Sequence, residues 1–389
     1  RGGRGLMKLE GARVLDLSMF LPGPHLTLMM ADHGADVIKV EPPSGEPVRE
    51  VGYRTDDGVS VWFRNTHRGK RSVELDLKTE AGREALLTLA ESADVFVEAF
   101  RPGVVDRLGV GPEAVRARNP RLVYVSIAAF GQTGPWRTRP AHDPAIQALA
   151  GTSSVNLGAD GAPTMMGVPA ADMASSLMAL GGICMALLRR ETTGRGDFLD
   201  LSMQDALMSW LPNVTGPVFA EDRAPVAKQE RSFGGAAFLN FYETADGKHV
   251  CLGGVAHKFV RNLLEALERP DLIEGASGPP GPGQDAAKAF LAETFRTRTR
   301  AEWEAWFEGR DVCFAPVLDL HEAFASEQVA AREMRVTDAQ GRDHIGIPLK
   351  FAEEPGRLNP ALPGLGEHGE EVLREAGLGD DALAAALGR

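Results

Sequence analysis

Three side chains capable of acid–base or nucleophilic chemistry flank one predicted helix. His142 and Asp143 are adjacent in RPAHDPAIQALAG, and Asp172 follows the histidine by 30 positions, in GVPAADMASSL. An aspartate carboxylate can attack a carbonyl carbon as a nucleophile. A histidine and an aspartate on opposite sides of a substrate can instead move a proton, because histidine titrates near neutral pH. The residue types and their spacing leave both chemistries open.

Asp172 stands ahead of a long apolar segment. This segment predicts a helix from about Asp172 to Arg190, ending in TTGRG with a glycine stop and basic residues in the last turn. An aspartate at such a start is a favoured N-cap. The positive end of a helix also stabilises a nucleophilic carboxylate, so the two roles are compatible. Asp143 is predicted to orient His142 or to cap its own helix through an Asx turn.

Strands and helices alternate in the first half of the chain. The predicted strands are ARVLDLS, DVIKVEPP, RSVELDL, DVFVEAF and RLVYVSIAAFG, and the helices between them are GPHLTLMMADHGA, TEAGREALLTLAESA with a Thr cap, and GVGPEAVRARN. Such alternation is typical of a parallel sheet covered by helices on both faces. The predicted fold class is therefore α/β, with a Rossmann-like parallel sheet. Ligands bind beyond the carboxyl ends of the strands in such sheets.

A smaller α+β domain is predicted after the sheet. FLNFYETADGKHVCLGG predicts a hairpin, and helical segments and the strand CFAPVLDL follow it. The predicted bounds are a large domain at 8–211 completed by about 340–389, a linker at 212–231, a small domain at 232–330, and a linker with a returning segment at 331–389, which includes a strand-like GIPLKF. RGGRGL, ahead of Met7, is interpreted as a tag remnant or an irregular start outside the fold.

Composition excludes several function classes. The 389 residues are 43% hydrophobic and 25% charged, with a net charge of −12 and no long basic run, which argues against nucleic acid as the main partner. The three cysteines form no CxxC pair, so neither a metal site nor a disulfide framework is expected. We find no signal peptide and no apolar run of about 18 residues, and therefore expect a cytoplasmic protein that does not span a membrane. Neither GxGxxG nor GxxxxGK[ST] occurs, which argues against NAD, FAD or ATP as a reacting partner.

Five long stretches together identify a family. They are LEGARVLDLSMFLPGPHLTLMMADHGADVIKVEPP, FRNTHRGKRSVELDLKTEAGR, ADVFVEAFRPGVVDRLGVG, NPRLVYVSIAAFGQTGPWRTRPAHD and LLRRETTGRGDFLDLSMQDA. In sequence and in order they resemble the class III CoA-transferase family, which also contains α-methylacyl-CoA racemases. The resemblance covers nearly the whole chain. It implies a Rossmann-like large domain, a small domain, and an interlocked homodimer of two threaded chains.

The resemblance also implies roles for individual residues. Asp172 matches the family's catalytic aspartate, which attacks the acyl-CoA thioester and passes through a mixed anhydride to an aspartyl-CoA thioester. CoA or acyl-CoA is then a substrate, with no tightly bound cofactor and no metal. Gly234 and Gly235 are what remains of the family's glycine-rich loop. The positions implied near CoA are Phe20, Lys39, Lys70, Arg71, Phe100 and Arg101.

Family features point to two reactions. A histidine at position 142 favours the racemases, in which it is one of two bases. Ala256 stands where racemases have the partner glutamate, and His257 is shifted by one position, which favours the transferases. Leu21 replaces a glutamine of the formyl-CoA enzyme and argues against oxalate or formate. The predicted function is CoA transfer to a carboxylic acid. The alternatives are α-methylacyl-CoA racemisation by His142 and Asp172, or a non-catalytic CoA-binding protein.

Overall fold

The computed structural model describes residues 7–158 and 160–389, so the RGGRGL segment lies outside the described residues. The chain divides into two compact units. The first contains the residues up to Ala150 together with Gly167–Trp210 and Glu327–Arg389, and the second contains Gly151–Met166 and Leu211–Ser326. The predicted linker at 212–231 groups with the second unit. So do residues 151–166, which the sequence analysis placed in the large domain.

The strands up to residue 316 lie close to predicted segments, and two further strands at 335–345 were not predicted. The strands are β1 (Arg13–Asp16), β2 (Asp36–Glu41), β3 (Arg71–Glu74), β4 (Val95–Glu98), β5 (Val123–Ala128), β6 (Phe198–Ser202), β7 (Leu239–Glu243), β8 (His249–Gly253), β9 (Phe314–Pro316), β10 (Arg335–Thr337) and β11 (Asp343–Ile345). The first six form one sheet in the order β3-β2-β1-β4-β5-β6, and all of its neighbours pair parallel. The predicted α/β class and the parallel sheet are confirmed.

The helices account for most of the remaining regular structure. They are α1 (Pro22–Asp32), α2 (Val61–His67), α3 (Glu80–Glu91), α4 (Val104–Arg107), α5 (Pro112–Arg118), α6 (Asp143–Leu149), α7 (Ala170–Thr193), α8 (Met203–Met208), α9 (Gly216–Glu221), α10 (His257–Ala266), α11 (Ile273–Ala276), α12 (Asp285–Phe295), α13 (Arg300–Phe307), α14 (Leu320–Phe324), α15 (Glu327–Ala331), α16 (Gly369–Glu375) and α17 (Asp380–Ala386). Thr79 caps α3 by accepting the Gly82 N–H, as predicted.

Helices cover both faces of the parallel sheet because successive strand residues point to opposite sides. On one face Leu15, Phe96 and Tyr124 pack with residues of α3, α16 and α17. On the other face Val14 and Val125 pack with residues of α1, α6, α7 and α8. Burying each of these large side chains contributes about 1.5–3 kcal/mol. The two apolar layers fix the sheet between the helices.

The second unit is smaller and of α+β type. β7, β8 and β9 form an antiparallel sheet, and the β7–β8 pair is the predicted hairpin. The sheet packs on residues of α10, α12 and α13 around the fully buried Phe295. The indole of Trp303 donates to the Phe295 carbonyl at 2.8 Å, which satisfies the polar atom of this buried side chain.

Two predicted boundaries differ from the structure. α7 begins at Ala170, two residues before the predicted start, and Asp172 lies in its first turn rather than at the N-cap. GIPLKF is not a strand. The strand β11 ends at Ile345, just before it, and pairs with β10. Pro348 in that segment has no N–H to offer a neighbouring strand, so apolar composition alone was misleading there.

α7 is also apolar enough to raise the question of a membrane. Its length of 24 residues and mean hydropathy of 1.6 would suffice for a span, although the sequence analysis found no such run. One such helix is weak evidence, because a core helix of the same composition passes the same test. In this fold α7 packs on the sheet with Ala171, Ala179 and Ile183 fully buried.

A network of buried charges lies beneath the carboxyl ends of β1 and β2. The Lys70 ammonium donates to Asp16 Oδ2 at 3.0 Å, to Thr27 Oγ1 at 2.7 Å and to the Pro24 carbonyl at 3.0 Å. Burial lowers the pKa of Lys70 to about 8, although the Asp16 charge opposes this shift. Burial would raise the pKa of Asp16, but Lys39 and Lys70 hold it well below its usual range. Asp16 and Lys70 therefore depend on each other for charge compensation.

Replacing Lys70 tests this structural role. Lys70→Met keeps the length of the side chain but leaves the Asp16 carboxylate buried beside one cation fewer. We expect the free energy of unfolding to fall by about 3–5 kcal/mol, measured by urea denaturation. The matched control, Lys78→Met at an exposed position, should change it by less than about 0.5 kcal/mol. A Lys70→Met protein as stable as the parent would contradict the assigned role.

Candidate functional site

A cavity of about 740 Å³ opens at the carboxyl edge of the parallel sheet. The strand order reverses direction between β1 and β4, and residues of the loops that follow these two strands line the cavity. Such a crevice is where doubly wound sheets bind ligands. The lining includes Phe20, Phe100, Arg101, Arg137, Arg139, His142, Asp172 and Met203.

Asp172 contributes a carboxylate to this wall from the first turn of α7. Burial raises the pKa of Asp172 to about 7, and the negative charge of Asp143 adds to the rise. Among the described residues, no cation pairs with it. The positive end of α7 favours the ionised form, but burial and Asp143 outweigh this effect. The side chain can thus exist as an acid or as a carboxylate near neutral pH.

Asp143 holds the start of α7. Its Oδ1 accepts the backbone N–H of Ala171 at 2.7 Å and that of Asp172 at 3.2 Å, and Gln147 donates to its Oδ2. We expected Asp143 to orient His142 or to cap its own helix. The structure shows instead that it caps a different helix, whose own N-cap, Pro169, offers no side-chain acceptor.

His142 lies on the same cavity as Asp172, as the family resemblance implied. It precedes α6, and its side chain is exposed. The Phe20 ring meets the His142 ring edge-on, with the ring centroids 6.5 Å apart. Within the part of the chain that the structure describes, the His142 imidazole has no hydrogen bond. It packs against the Phe20 ring.

Three arginines add positive charge to the cavity wall. Arg101 follows β4, and Arg137 and Arg139 belong to the loop between β5 and α6. The described residues place no carboxylate against any of them. The Arg139 guanidinium lies over the Trp136 ring, 5.5 Å from its centroid. The sequence analysis identified only Arg101, although the basic WRTRPAHD stretch was a usable signal for the other two.

Three other basic positions implied by the resemblance do not line the cavity. Lys39 and Lys70 are buried in the charge network, at 1% and 3% exposure. Arg71 pairs with Asp36 at 2.6 Å and with Glu375 at 3.0 Å. Each of the three charges already has a carboxylate partner, and a role in binding CoA remains a prediction for these positions.

The two loop glycines lie in the second unit. Gly234 has a positive φ of 83°, and a Cβ on Gly235 would stand 2.4 Å from the Gln229 backbone. Both positions therefore require glycine for the local backbone geometry, independently of any role in substrate binding. Ala256 is the N-cap residue of α10, which His257 begins. The substrate-loop role of Gly234 and Gly235 stays a prediction.

Two buried glutamates near the cavity escaped the sequence analysis. Glu98 ends β4 and accepts the Phe100 N–H at 2.8 Å. Burial raises the pKa of Glu98 to about 7, although the hydrogen bonds from Ser126 and Phe100 lower it. Glu46 accepts the Phe20 N–H at 3.0 Å. Each glutamate fixes the backbone of one aromatic wall residue. A charged residue at the end of an otherwise apolar strand was the available signal for Glu98.

Comparisons with known proteins agree with this geometry. Residues 9–369 match the model of CoA-transferase family III. A succinyl-CoA:mesaconate CoA-transferase of Haloarcula hispanica is 35% identical over 95% of this chain and 97% of its own. The α-methylacyl-CoA racemase of Homo sapiens is 33% identical, covering 97% and 95%. A crystal structure of a CaiB/BaiF family protein from Brucella suis has a TM-score of 0.83 at 30% identity, covering 95% and 99%.

Titration of Asp172 tests the electrostatics of the site. Carbon-13 NMR of aspartate-labelled protein, with Asp172 assigned from its loss in Asp172→Asn, should give a midpoint near pH 7. Asp143→Asn removes the neighbouring charge but keeps an acceptor oxygen, so the midpoint should fall. Asp205→Asn, an exposed first-turn position of α8, should leave it unchanged. An unchanged midpoint in Asp143→Asn would show that the Asp143 charge does not act on Asp172.

The same raised pKa has a consequence for stability. A carboxylate whose pKa is higher in the folded state destabilises that state once the pH exceeds the unfolded pKa. The free energy of unfolding contributed by Asp172 therefore declines from about pH 4 to pH 7. We expect Asp172→Asn to be more stable than the parent by roughly 2–4 kcal/mol at pH 8, with the gain vanishing near pH 4. Urea denaturation at both pH values measures this, and a pH-independent difference would refute it.

Proposed function

The chain belongs to CoA-transferase family III, and from this premise we propose that it transfers CoA from an acyl-CoA donor to a carboxylic acid, with Asp172 as the nucleophile. The observation that carries the proposal is the Asp172 carboxylate itself. It stands on the cavity wall, is partly buried, and has no cationic partner in the described part of the chain. A carboxylate that is partly shielded from water and has no counter-ion is a strong nucleophile.

The proposed reaction proceeds by two exchanges at Asp172. Its carboxylate oxygen attacks the thioester carbonyl, the C–S bond breaks, and a mixed anhydride and CoA thiolate form. The thiolate attacks the Asp172 carbonyl and releases the donor acid, leaving an aspartyl-CoA thioester. The acceptor carboxylate then attacks this thioester, the C–S bond breaks, and a second anhydride and CoA thiolate form. The thiolate attacks the acceptor carbonyl, and the Asp172 carboxylate is regenerated. No metal or further cofactor is required.

The other wall residues bind and orient the substrates. His142 shapes and polarises the acyl end of the cavity, and Asp143 holds Asp172 in place through α7. The unpaired guanidinium groups of Arg101, Arg137 and Arg139 suit the phosphates of CoA. Phe20 and Phe100 offer faces for the adenine or the pantetheine arm. To bind the phosphates of CoA, Lys39, Lys70 and Arg71 would have to leave their existing ion pairs.

Racemisation is the second candidate function, and His142 is the residue that favours it. An imidazole and a carboxyl group that both line one cavity could exchange the α-proton of an α-methylacyl-CoA, and Asp172 with a pKa near 7 could serve as either acid or base. The relatives include a racemase as well as a transferase. Ala256, at the position of the racemase glutamate, supports transfer.

We propose that the chain works as a cytoplasmic homodimer. The outer face of α7 supports this, because four of its large apolar side chains are exposed: Leu177 at 47%, Met178 at 42%, Met185 at 69% and Leu188 at 74%. An apolar stripe of this kind favours burial against a partner. Interlocking of the two chains is implied by the family resemblance.

Trapping the intermediate tests the proposed function. The protein is incubated with a panel of acyl-CoAs, quenched with hydroxylamine or borohydride, and mapped by peptide mass spectrometry. We expect a modification on the peptide that carries Asp172, absent in Asp172→Asn and present in the control Asp205→Asn. The opposite result is no adduct with any donor, together with deuterium exchange at the acyl α-carbon that His142→Asn abolishes. That result would make the protein a racemase.

A further inference from the structure

The loop between β1 and α1 adopts a conformation that needs external support. Phe20 has a φ of 64°, in the left-handed region that residues with a Cβ rarely occupy. No glycine relieves this strain at that position. The loop also provides Met19 and Phe20 to the cavity wall. Contacts outside the loop must therefore hold the Phe20 backbone in place.

Those contacts come from one buried ion pair. Glu46 Oε1 accepts the Phe20 N–H at 3.0 Å, and Glu46 Oε2 lies 3.0 Å from the Lys39 ammonium. Lys39 in turn donates to the Ser18 carbonyl. Glu46 and Lys39 are both 1% exposed. This ion pair therefore fixes the loop at the Ser18 carbonyl and the Phe20 N–H, and Ser18 also donates its N–H to Asp16 Oδ1 at 3.0 Å.

The ring of Phe20 connects this support to His142 on the cavity wall. The Phe20 ring lies edge-on to His142 at 6.5 Å and tilted against Trp62 at 6.4 Å, measured between ring centroids. Because His142 has no hydrogen bond among the described residues, its ring position depends on this packing. A change in the Phe20 backbone would move the Phe20 ring and free the imidazole to turn.

We propose that Glu46 is a positioning residue of the cavity: it holds Phe20 in its left-handed conformation, and Phe20 in turn holds the His142 ring. Lys39 serves as the counter-ion of Glu46. Neither Glu46 nor Lys39 touches the cavity. The inference concerns the arrangement of the unliganded site, and it uses the proposed function for its second readout only.

Two double variants, in which uncharged residues replace both Lys39 and Glu46, isolate the hydrogen bond that the Phe20 N–H donates. Lys39→Met with Glu46→Gln keeps an acceptor for the Phe20 N–H, and Lys39→Met with Glu46→Leu removes it, while both eliminate the two charges of this ion pair. In protein labelled with carbon-13 histidine, His142→Asn assigns the His142 ring resonance, and Phe20→Leu shows where it lies without the ring current. We expect the glutamine pair to keep the parent resonance and the leucine pair to shift it toward the Phe20→Leu position.

A second readout is the rate at which Asp172 is acylated. The leucine pair should be slower than the glutamine pair by about tenfold, because small displacements of positioning groups have effects of this size. In a Phe20→Leu background the two pairs should acylate at equal rates, since the ring through which Glu46 acts is gone. Glu46→Asp, which withdraws the acceptor but keeps the charge, replaces the leucine pair if that pair does not fold, with the same expected outcomes.

The proposal is overturned if the leucine pair leaves the His142 resonance at its parent position. It is also overturned if the difference between the two pairs persists without the Phe20 ring, because Glu46 would then act by another route. The NMR measurement needs no substrate. An absence of acylation in the parent protein would therefore count against the proposed function, while the His142 resonance would still decide the role of Glu46.

Discussion

The Asp143 carboxylate fixes the first turn of α7, and the rest of the site depends on it. The start of any α-helix leaves backbone N–H groups without partners inside the helix. Pro169, the N-cap of α7, has no side-chain acceptor for them, and Asp143 supplies one from the start of α6. Charged hydrogen bonds of this kind are about twice as strong as neutral ones. The bond joins the segment that carries His142 to the helix that carries Asp172.

Burial and the Asp143 charge together set the electrostatic character of Asp172. A carboxylate in the first turn of a helix usually loses its proton more readily. Here burial and the adjacent Asp143 charge prevail and raise the pKa to about 7. Above its unfolded pKa the Asp172 carboxylate thus destabilises the folded state, which agrees with the chemical role proposed for it. The buried glutamates complete the arrangement, since Glu46 and Glu98 hold the backbones of Phe20 and Phe100, which both line the cavity.

Local patterns predicted the elements of the fold. β-branched runs located β1 to β5, Thr79 marked the start of α3, and Gly194 ended α7 in the left-handed conformation, as the TTGRG stop indicated. The placement of His142 and Asp172 at one site was implied by the family resemblance and did not follow from local patterns. The predicted start of α7 was wrong by two residues, because we gave more weight to aspartate as a favoured N-cap than to the helical preference of the two alanines before it.

Long-range contacts were beyond such patterns. No local signal shows that Asp143 accepts hydrogen bonds from residues 28 and 29 positions later in the chain. Lys39 lies in the apolar strand DVIKVE, and this context could have indicated a buried lysine with a carboxylate partner rather than a ligand for phosphate. Its partner Glu46 follows seven positions later, in a loop, and only the folded chain brings the two together.

A single turnover with acceptor acid labelled in both carboxylate oxygens by oxygen-18 tests the central claim most directly. If Asp172 carries CoA covalently, one oxygen of the acceptor acid remains on Asp172. The peptide that contains Asp172 then gains the mass difference between oxygen-18 and oxygen-16, and the released donor acid is unlabelled. If CoA passes directly between the two acids, the label appears in the donor acid and Asp172 stays unlabelled. The account predicts the label on Asp172, and its absence there after a completed turnover would contradict the account.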